Sequence, residues 1–169
     1  MERQEIQKII SKSIQDYDMK RNENKYTDFD DILDYIEVIN VISPTIGTAA
    51  GNYDTYFLAP RTLSIFQIDF SATTALATSD TNYITWTITN LGQDGTGTKS
   101  MLATTPAGTS TTKATGGTAI AANTKMTFVT TTTLNNLQII SGDRILIRAA
   151  VTGTLANTVT FPVYLIQLS

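Results

Sequence analysis

The spacing of hydrophobic and polar positions changes near residue 40. Before it, Ile6, Ile9 or Ile10, Ile14 and Tyr17 recur every three to four residues, with Glu2, Arg3, Glu5, Lys8, Lys12 and Asp16 at the positions between. That period predicts a helix with one narrow apolar stripe, and nothing before Lys20 breaks it. A helix of this length is marginal alone in water, so the stripe is expected to pack on something: its own body, a second copy in a short coiled coil, or a groove in a larger assembly. Ile6, Ile9, Ile10, Ile14 and Tyr17 are therefore the candidate partner-anchoring residues. The polar stretch KRNENKYTDFDD (Lys20 to Asp31) reads as a linker, after which Ile32, Tyr35, Ile36, Val38, Ile39 and Val41 begin an apolar body. The expected organisation is an arm, 1–40, serving anchoring or oligomerisation, and a body, 41–169.

Beyond residue 60 the period becomes two. TLSIFQIDF (Thr62 to Phe70) alternates Ser64, Phe66, Ile68 and Phe70 against Leu63, Ile65, Gln67 and Asp69; NYITWTITN alternates Ile84, Trp86 and Ile88 against Tyr83, Thr85, Thr87 and Thr89. Each predicts a strand with one buried face. TKMTFVTTTT sets Met126 and Phe128 on one side, and a Gly-Asp turn at Gly142 and Asp143 leads into Ile145, Ile147 and Ala149. The last run places Val159, Phe161, Val163 and Leu165 together, and Pro162, which has no N–H to donate, predicts an edge strand or a bulge. Asn90 to Ala122 is rich in Gly, Thr and Ala, and predicts hairpins or loops with short strands around Met101 and Ile120. No helical period interrupts Leu63 to Leu168. The expected fold class is mainly β: an antiparallel β-sandwich, jelly-roll-like, with an N-terminal helical arm.

Charge divides the chain at the same place. Ten of the 15 acids and six of the 12 bases precede Ile39, and every glutamate lies at or before Glu37. The chain has no His and no Cys, so the usual general base at neutral pH, the commonest metal ligand and the best nucleophile are missing, as is any disulfide. A net charge of −3 with scattered bases does not suit a phosphate backbone, so no nucleic-acid partner is expected. Arg144 and Arg148, four apart on a predicted strand, face the same way and read as a solvated face. No apolar run approaches the roughly 18 residues of a membrane helix, and MERQEIQKII lacks the basic stretch and apolar core of a secretory leader. No membrane partner and no classical secretion are expected.

Remaining candidate chemistry is sparse. The body's acids, Asp54, Asp69, Asp80, Asp94 and Asp143, mostly fall beside turns or strand ends, and nothing marks a catalytic pair, so no enzymatic activity is expected. Asp28, Asp30, Asp31 and Asp34 lack the glycine and closing Glu of a calcium loop, and no metal or cofactor is expected. Gly92, Gly95 and Gly97 lack the closing Lys and the following helix of a phosphate-binding loop and read as a turn. The runs TSTT (Thr109 to Thr112) and TTTT (Thr130 to Thr133) read as exposed threonines. Trp86, flanked by Ile84 and Ile88, belongs to the core, which leaves Tyr83 on the opposite face as the one candidate aromatic contact for a sugar.

The order YFLAPRTLSIFQIDF, DTNYITWTITNLGQDGTGTKSMLA, TTKATGGTAIAA and SGDRILIRAAVTGTLANTVTFPV resembles a β-sandwich domain of virion structural proteins of tailed bacteriophages, from about Tyr53 to Leu168. These motifs are compositional and transfer no catalytic residues. The resemblance implies a head-decoration or head-fibre protein, assembled in the host cytoplasm and located on the virion. Its partners would be other virion proteins, a major capsid protein or a vertex or portal-proximal one. It would be a homo-oligomer, with trimers joined by an N-terminal arm common among such proteins. The competing expectation is a receptor- or glycan-binding module of a head or tail fibre.

Overall fold

The computed structural model describes residues 37–168. The expected arm helix, the linker and the Asp28 to Asp34 cluster lie outside them. The chain is mainly β: β1 (Glu37–Ile42), β2 (Gly51–Leu58), β3 (Leu63–Ser71), β4 (Tyr83–Asn90), β5 (Lys99–Ser100), β6 (Met126–Thr127), β7 (Gln138–Ile139), β8 (Arg144–Thr152) and β9 (Val163–Leu168). One helical turn, α1 (Leu134–Leu137), departs from the expected absence of helix. No helix among the described residues is long and apolar enough to cross a membrane.

The strands form two antiparallel sheets, one in the order β1-β9-β3-β6 with β7 also on β3, the other in the order β2-β8-β4-β5. Apart from β4 with β5, consecutive strands do not pair; β1 pairs with β9, β2 with β8 and β3 with β6. The chain therefore runs as nested hairpins whose outermost strands are β1 and β9. The connection between β5 and β6 packs beside β4: Trp86 N–H donates to Ser110 O at 2.8 Å and Thr112 N–H to Ile84 O at 2.9 Å. The TSTT run is thus not exposed, since Ser110, Thr111 and Thr112 are buried. The Thr111 hydroxyl donates to Ile84 O and the Thr112 hydroxyl accepts from Ile84 N–H, each at 2.9 Å. Their hydroxyls satisfy backbone groups that sequence alone could not place near them.

The sheets face each other across one apolar core. Ile84, Trp86 and Ile88 point inward from β4, as the alternation predicts, with Ile145, Ile147 and Ala149 beside them from β8. From the facing sheet Phe70 lies 5.2 Å from Trp86 and 5.2 Å from Tyr164, ring centre to ring centre. Trp86 Nε1–H donates to the Tyr164 hydroxyl at 3.0 Å, so the two buried polar atoms satisfy each other. Burial pushes the Tyr164 hydroxyl pKa well above its ordinary value, against the smaller lowering effect of that hydrogen bond.

Two facings differ from the alternation. In β3 the register slips between Ile65 and Gln67. Both Ile65 and Ile68 therefore point inward, while Phe66, expected with Ile68 and Phe70, is 42% exposed. A bulge of one residue reverses every facing on one side of it. In β9 the buried residues are Tyr164, Ile166 and Leu168, and Val163 and Leu165 face outward. Nor is β9 an edge strand: it lies between β1 and β3. Pro162 precedes the strand and costs it no donor, and its carbonyl accepts the Ser43 N–H at 3.1 Å. Phe161 turns out of the ladder altogether, 71% exposed with φ 48°.

Candidate interaction surface

The candidate anchoring residues Ile6, Ile9, Ile10, Ile14 and Tyr17 lie outside the described residues, as do Asp28, Asp30, Asp31 and Asp34. Within the body, each acid proposed as a catalytic candidate has a hydrogen-bonding partner. Asp54 on β2 receives two bonds from Arg148 on β8, Nε to Oδ1 at 2.8 Å and Nη2 to Oδ2 at 2.7 Å. This fork holds the guanidinium pKa above its ordinary value, chiefly through those bonds. Arg144 and Arg148 do share the outer face, but Arg148 is tied across the sheet while Arg144 is exposed. Asp80 accepts Thr115 N–H at 2.8 Å, and Asp94 accepts Thr96 N–H and hydroxyl at 3.0 and 2.8 Å. These bonds hold both carboxyls below the usual range. Asp94 thereby folds the Gly92 to Gly97 turn, where a Cβ on Gly97 would sit 2.7 Å from Asn90 O. The chain continues from it into β5.

Two acids are buried, against the expectation of solvated positions. Asp143 accepts Asn90 Nδ2 at 2.8 Å and Ile140 N–H at 3.0 Å, and its backbone bonds Ala59, which ties three connections together at one end of the sheets. Asp69, 2% exposed, lies on the outer side of β3 beneath other polar side chains. The Thr127 hydroxyl donates to it at 2.6 Å and Gln67 at 2.8 Å, Gln167 reaches it at 3.3 Å, and Lys125 Nζ stands 3.6 Å away. Burial pushes this carboxyl up, but the bonds from Thr127 and Gln67 with the Lys125 charge outweigh it, and its pKa lies below the ordinary value. Among the described residues no group of three or more acids gathers as a metal site.

The outer surface offers contacts of three kinds. Tyr56 and Leu58 on β2, 50% and 66% exposed, line a depression of about 230 Å³ with Phe57 and Arg144. At the end of the sheets where residues 76–82 meet 154–157, a groove of about 560 Å³ is lined by the aliphatic side chains of Leu76, Ala77, Leu155 and Ala156 and by the hydroxyls and amides of Thr78, Ser79, Asn82, Thr154 and Asn157, with no aromatic ring. Tyr83 is half-buried, with Lys113 Nζ 5.7 Å above its ring centre, so one face of that ring is covered. The third is the outer face of β1, where Val38 and Ile42 stand exposed beside Val163 and Leu165 of β9. Composition showed these residues to be apolar. It did not show that they share an outward face, because that depends on β1 pairing with the distant β9.

No family model matches the chain, and no curated protein matches it. A chain in the structure of infectious bursal disease virus Gx strain is similar over 79% of this chain, at 12% identity and a TM-score of 0.32. This chain spans 37% of the length of that one, and a likeness at that score decides neither fold family nor function.

Proposed function

We propose that the protein is a non-enzymatic structural component of a phage particle, an accessory protein attached to the head through its N-terminal arm. The observation that carries this reading is the winding of the body. The two sheet orders, β1-β9-β3-β6 and β2-β8-β4-β5, with each pair nested inside the last, are those of a jelly roll, an architecture built into capsid and lectin domains alike. Because a fold hosts many functions, the choice between those two rests on the surface. The body's carboxylates are engaged in holding turns and strands, and its outer faces carry threonine and aliphatic side chains with few free charges. Such a surface suits a subunit packed among neighbours.

A second reading, a glycan-binding module of a fibre, draws on the hydroxyls and amides that stand among the aliphatic side chains of the groove between residues 76–82 and 154–157. Sugar sites also stack a ring on an exposed aromatic face, and this groove has none. In the virion reading the partners are a major capsid or vertex protein, and the protein travels with the particle. The test is gradient purification of particles from the producing lysate, followed by mass spectrometry. Wild-type protein should co-sediment with particles, and a chain with Ile6→Ser, Ile10→Ser and Ile14→Ser should stay at the top of the gradient with its body folded. Protein absent from particles, together with saturable sugar binding competed by free sugar, would move the assignment to the glycan module.

A further inference from the structure

Strand β1 is the open edge of its sheet, and among the described residues nothing pairs with its outer side. Its β9 partners run in register from Glu37 opposite Leu168 to Ile42 opposite Val163, and Ser43 N–H to Pro162 O at 3.1 Å extends that ladder by one step. Antiparallel strands direct the backbone groups of alternate residues to opposite sides. Glu37, Ile39, Val41 and Ser43 therefore turn their N–H and C=O toward β9, and Val38, Asn40 and Ile42 turn theirs to the open edge. The same three residues carry their side chains on the outer face, where Val38 is 52% and Ile42 75% exposed. Proteins that stay monomeric blunt such an edge with a charge, a proline, a bulge or extreme shortness. The other edges have such devices: β5 and β6 are two residues each, and β2 carries Asp54 locked to Arg148. Strand β1 has six regular residues and one charge, Glu37, which like Asp54 is ion-paired but stands at the strand's end instead of its middle.

We infer that β1 pairs with β1 of a second copy, antiparallel, about a two-fold axis at Asn40. The sequence of this strand fits itself in that register. Asn40 stands opposite the second copy's Asn40, so their edge-facing N–H and C=O groups exchange two hydrogen bonds and their amides meet on the axis. Val38 stands opposite the second copy's Ile42 on the outer face, and Ile39 opposite its Val41 on the inner one, so each apolar side chain meets another of the same face. A shift of one residue would set outer positions against inner ones, and a shift of two would leave Ile42 without an apolar partner inside the strand. The two Glu37 residues fall at opposite ends, each across from Ser43, so no like charges meet. A second copy fits this edge better than a foreign strand because the match is complete with no other sequence supplied. Six residues of strand span about 20 Å, less contact than the roughly 800 Å² per partner of a stable dimer. The pair is weak between free molecules and strengthens where many copies are held together. This pairing stands apart from the virion reading, since either can hold without the other.

Position-specific crosslinking in the full chain tests it, helped by the absence of any native cysteine. Residues opposite each other in a hydrogen-bonded pair have Cα atoms about 5.5 Å apart, within reach of a disulfide. Under mild oxidation the Asn40→Cys variant should form dimers at least tenfold faster than Asn157→Cys, an exposed loop control. An equal mixture of Val38→Cys and Ile42→Cys chains should give mostly mixed dimers, because each position faces the other. Asn40→Pro removes only an edge-facing N–H, so it should keep the buried-tryptophan fluorescence of the folded body and weaken concentration-dependent sedimentation about tenfold or more. Ile42→Lys should weaken it likewise without touching the backbone. Crosslinking at position 40 no faster than at 157, or no excess of mixed dimers, overturns the pairing. So does unchanged sedimentation of a folded Asn40→Pro chain.

Discussion

Strands β3 and β4 hold comparable places in their two sheets, each pairing with one long neighbour and otherwise only with two-residue strands, yet they are held by different means. Strand β4 is regular. Its inner positions are Ile84, Trp86 and Ile88, all fully buried, and at its end Asn90, buried and bonded to Asp143; its outer positions are threonines or Tyr83. Strand β3 has the same apolar inner face but carries a bulge at Phe66 and, on its outer side, the buried carboxylate of Asp69. On β4 side-chain burial orders the inner face, and the polar bonds reach its backbone at Ile84 and its last residue, Asn90. On β3 a polar cluster adds a second constraint, joining β3 to Thr127 of β6 and Gln167 of β9. One carboxylate thus ties down a two-residue edge strand that has little area of its own. The lesson is that the ends of a sheet can be closed by directional bonds where apolar area runs short.

Trp86→Ala should destabilise the body by about 3–5 kcal/mol, through lost burial, a cavity against Phe70 and Phe128, and a Tyr164 hydroxyl left without its partner. Urea unfolding followed by circular dichroism measures it. A native tryptophan emission maximum at the wavelength of an exposed indole would overturn the assigned facing. Asp69→Ala should cost less, about 2–3 kcal/mol, because it strands the donors of Thr127 and Gln67 beneath the surface but opens only a small space. Its effect should fall on the β3–β6 pairing, with amide exchange rising at Met126 and Thr127 more than on β4. Equal exchange on both strands would show that the carboxylate does not act locally.

The pH dependence of stability should separate the two strands further. The folded pKa of Asp69 lies below its ordinary value. The unfolded chain therefore takes up this proton first as pH falls, so the contribution of Asp69 is present above the ordinary carboxylate value of about 4 and is lost as pH drops through the folded value. Asp69→Asn should make the loss of stability on acidification below about pH 4 shallower than in the wild type, whereas Thr87→Val on β4 should leave its slope unchanged. The smallest effect is expected at Tyr83. Tyr83→Ala removes a half-buried ring and its contact with Lys113, at a cost below about 1.5 kcal/mol. A cost equal to that of Trp86→Ala would mean the two faces of β4 are equally important, and the comparison would fail.

Sequence by itself determined the class of structure. Alternation is a local property, so NYITWTITN and the run after Gly142 showed which side chains point inward, and the absence of helical period beyond Leu63 showed a β body. The turn-rich stretch from Asn90 to Ala122 was legible for the same reason, since glycine and asparagine act on the backbone where they stand. The tertiary structure decided what depends on distant partners. The bulge at Phe66 follows from how β3 meets β9, and burial of Ser110, Thr111 and Thr112 from their return to β4. The carboxylate of Asp69 could be buried only because Thr127 and Gln167, 58 and 98 residues away, supply its donors. Whether a strand is central or an edge is a fact about its neighbours: β9, with a proline before it, proved central, and β1 has one partner among the described residues. Of the candidate site, the apolar character of Val38 and Ile42 was visible in the chain. That they stand on the last strand of the sheet among the described residues, with their backbone groups turned outward, is set by the pairing of β1 with β9, which no local pattern encodes.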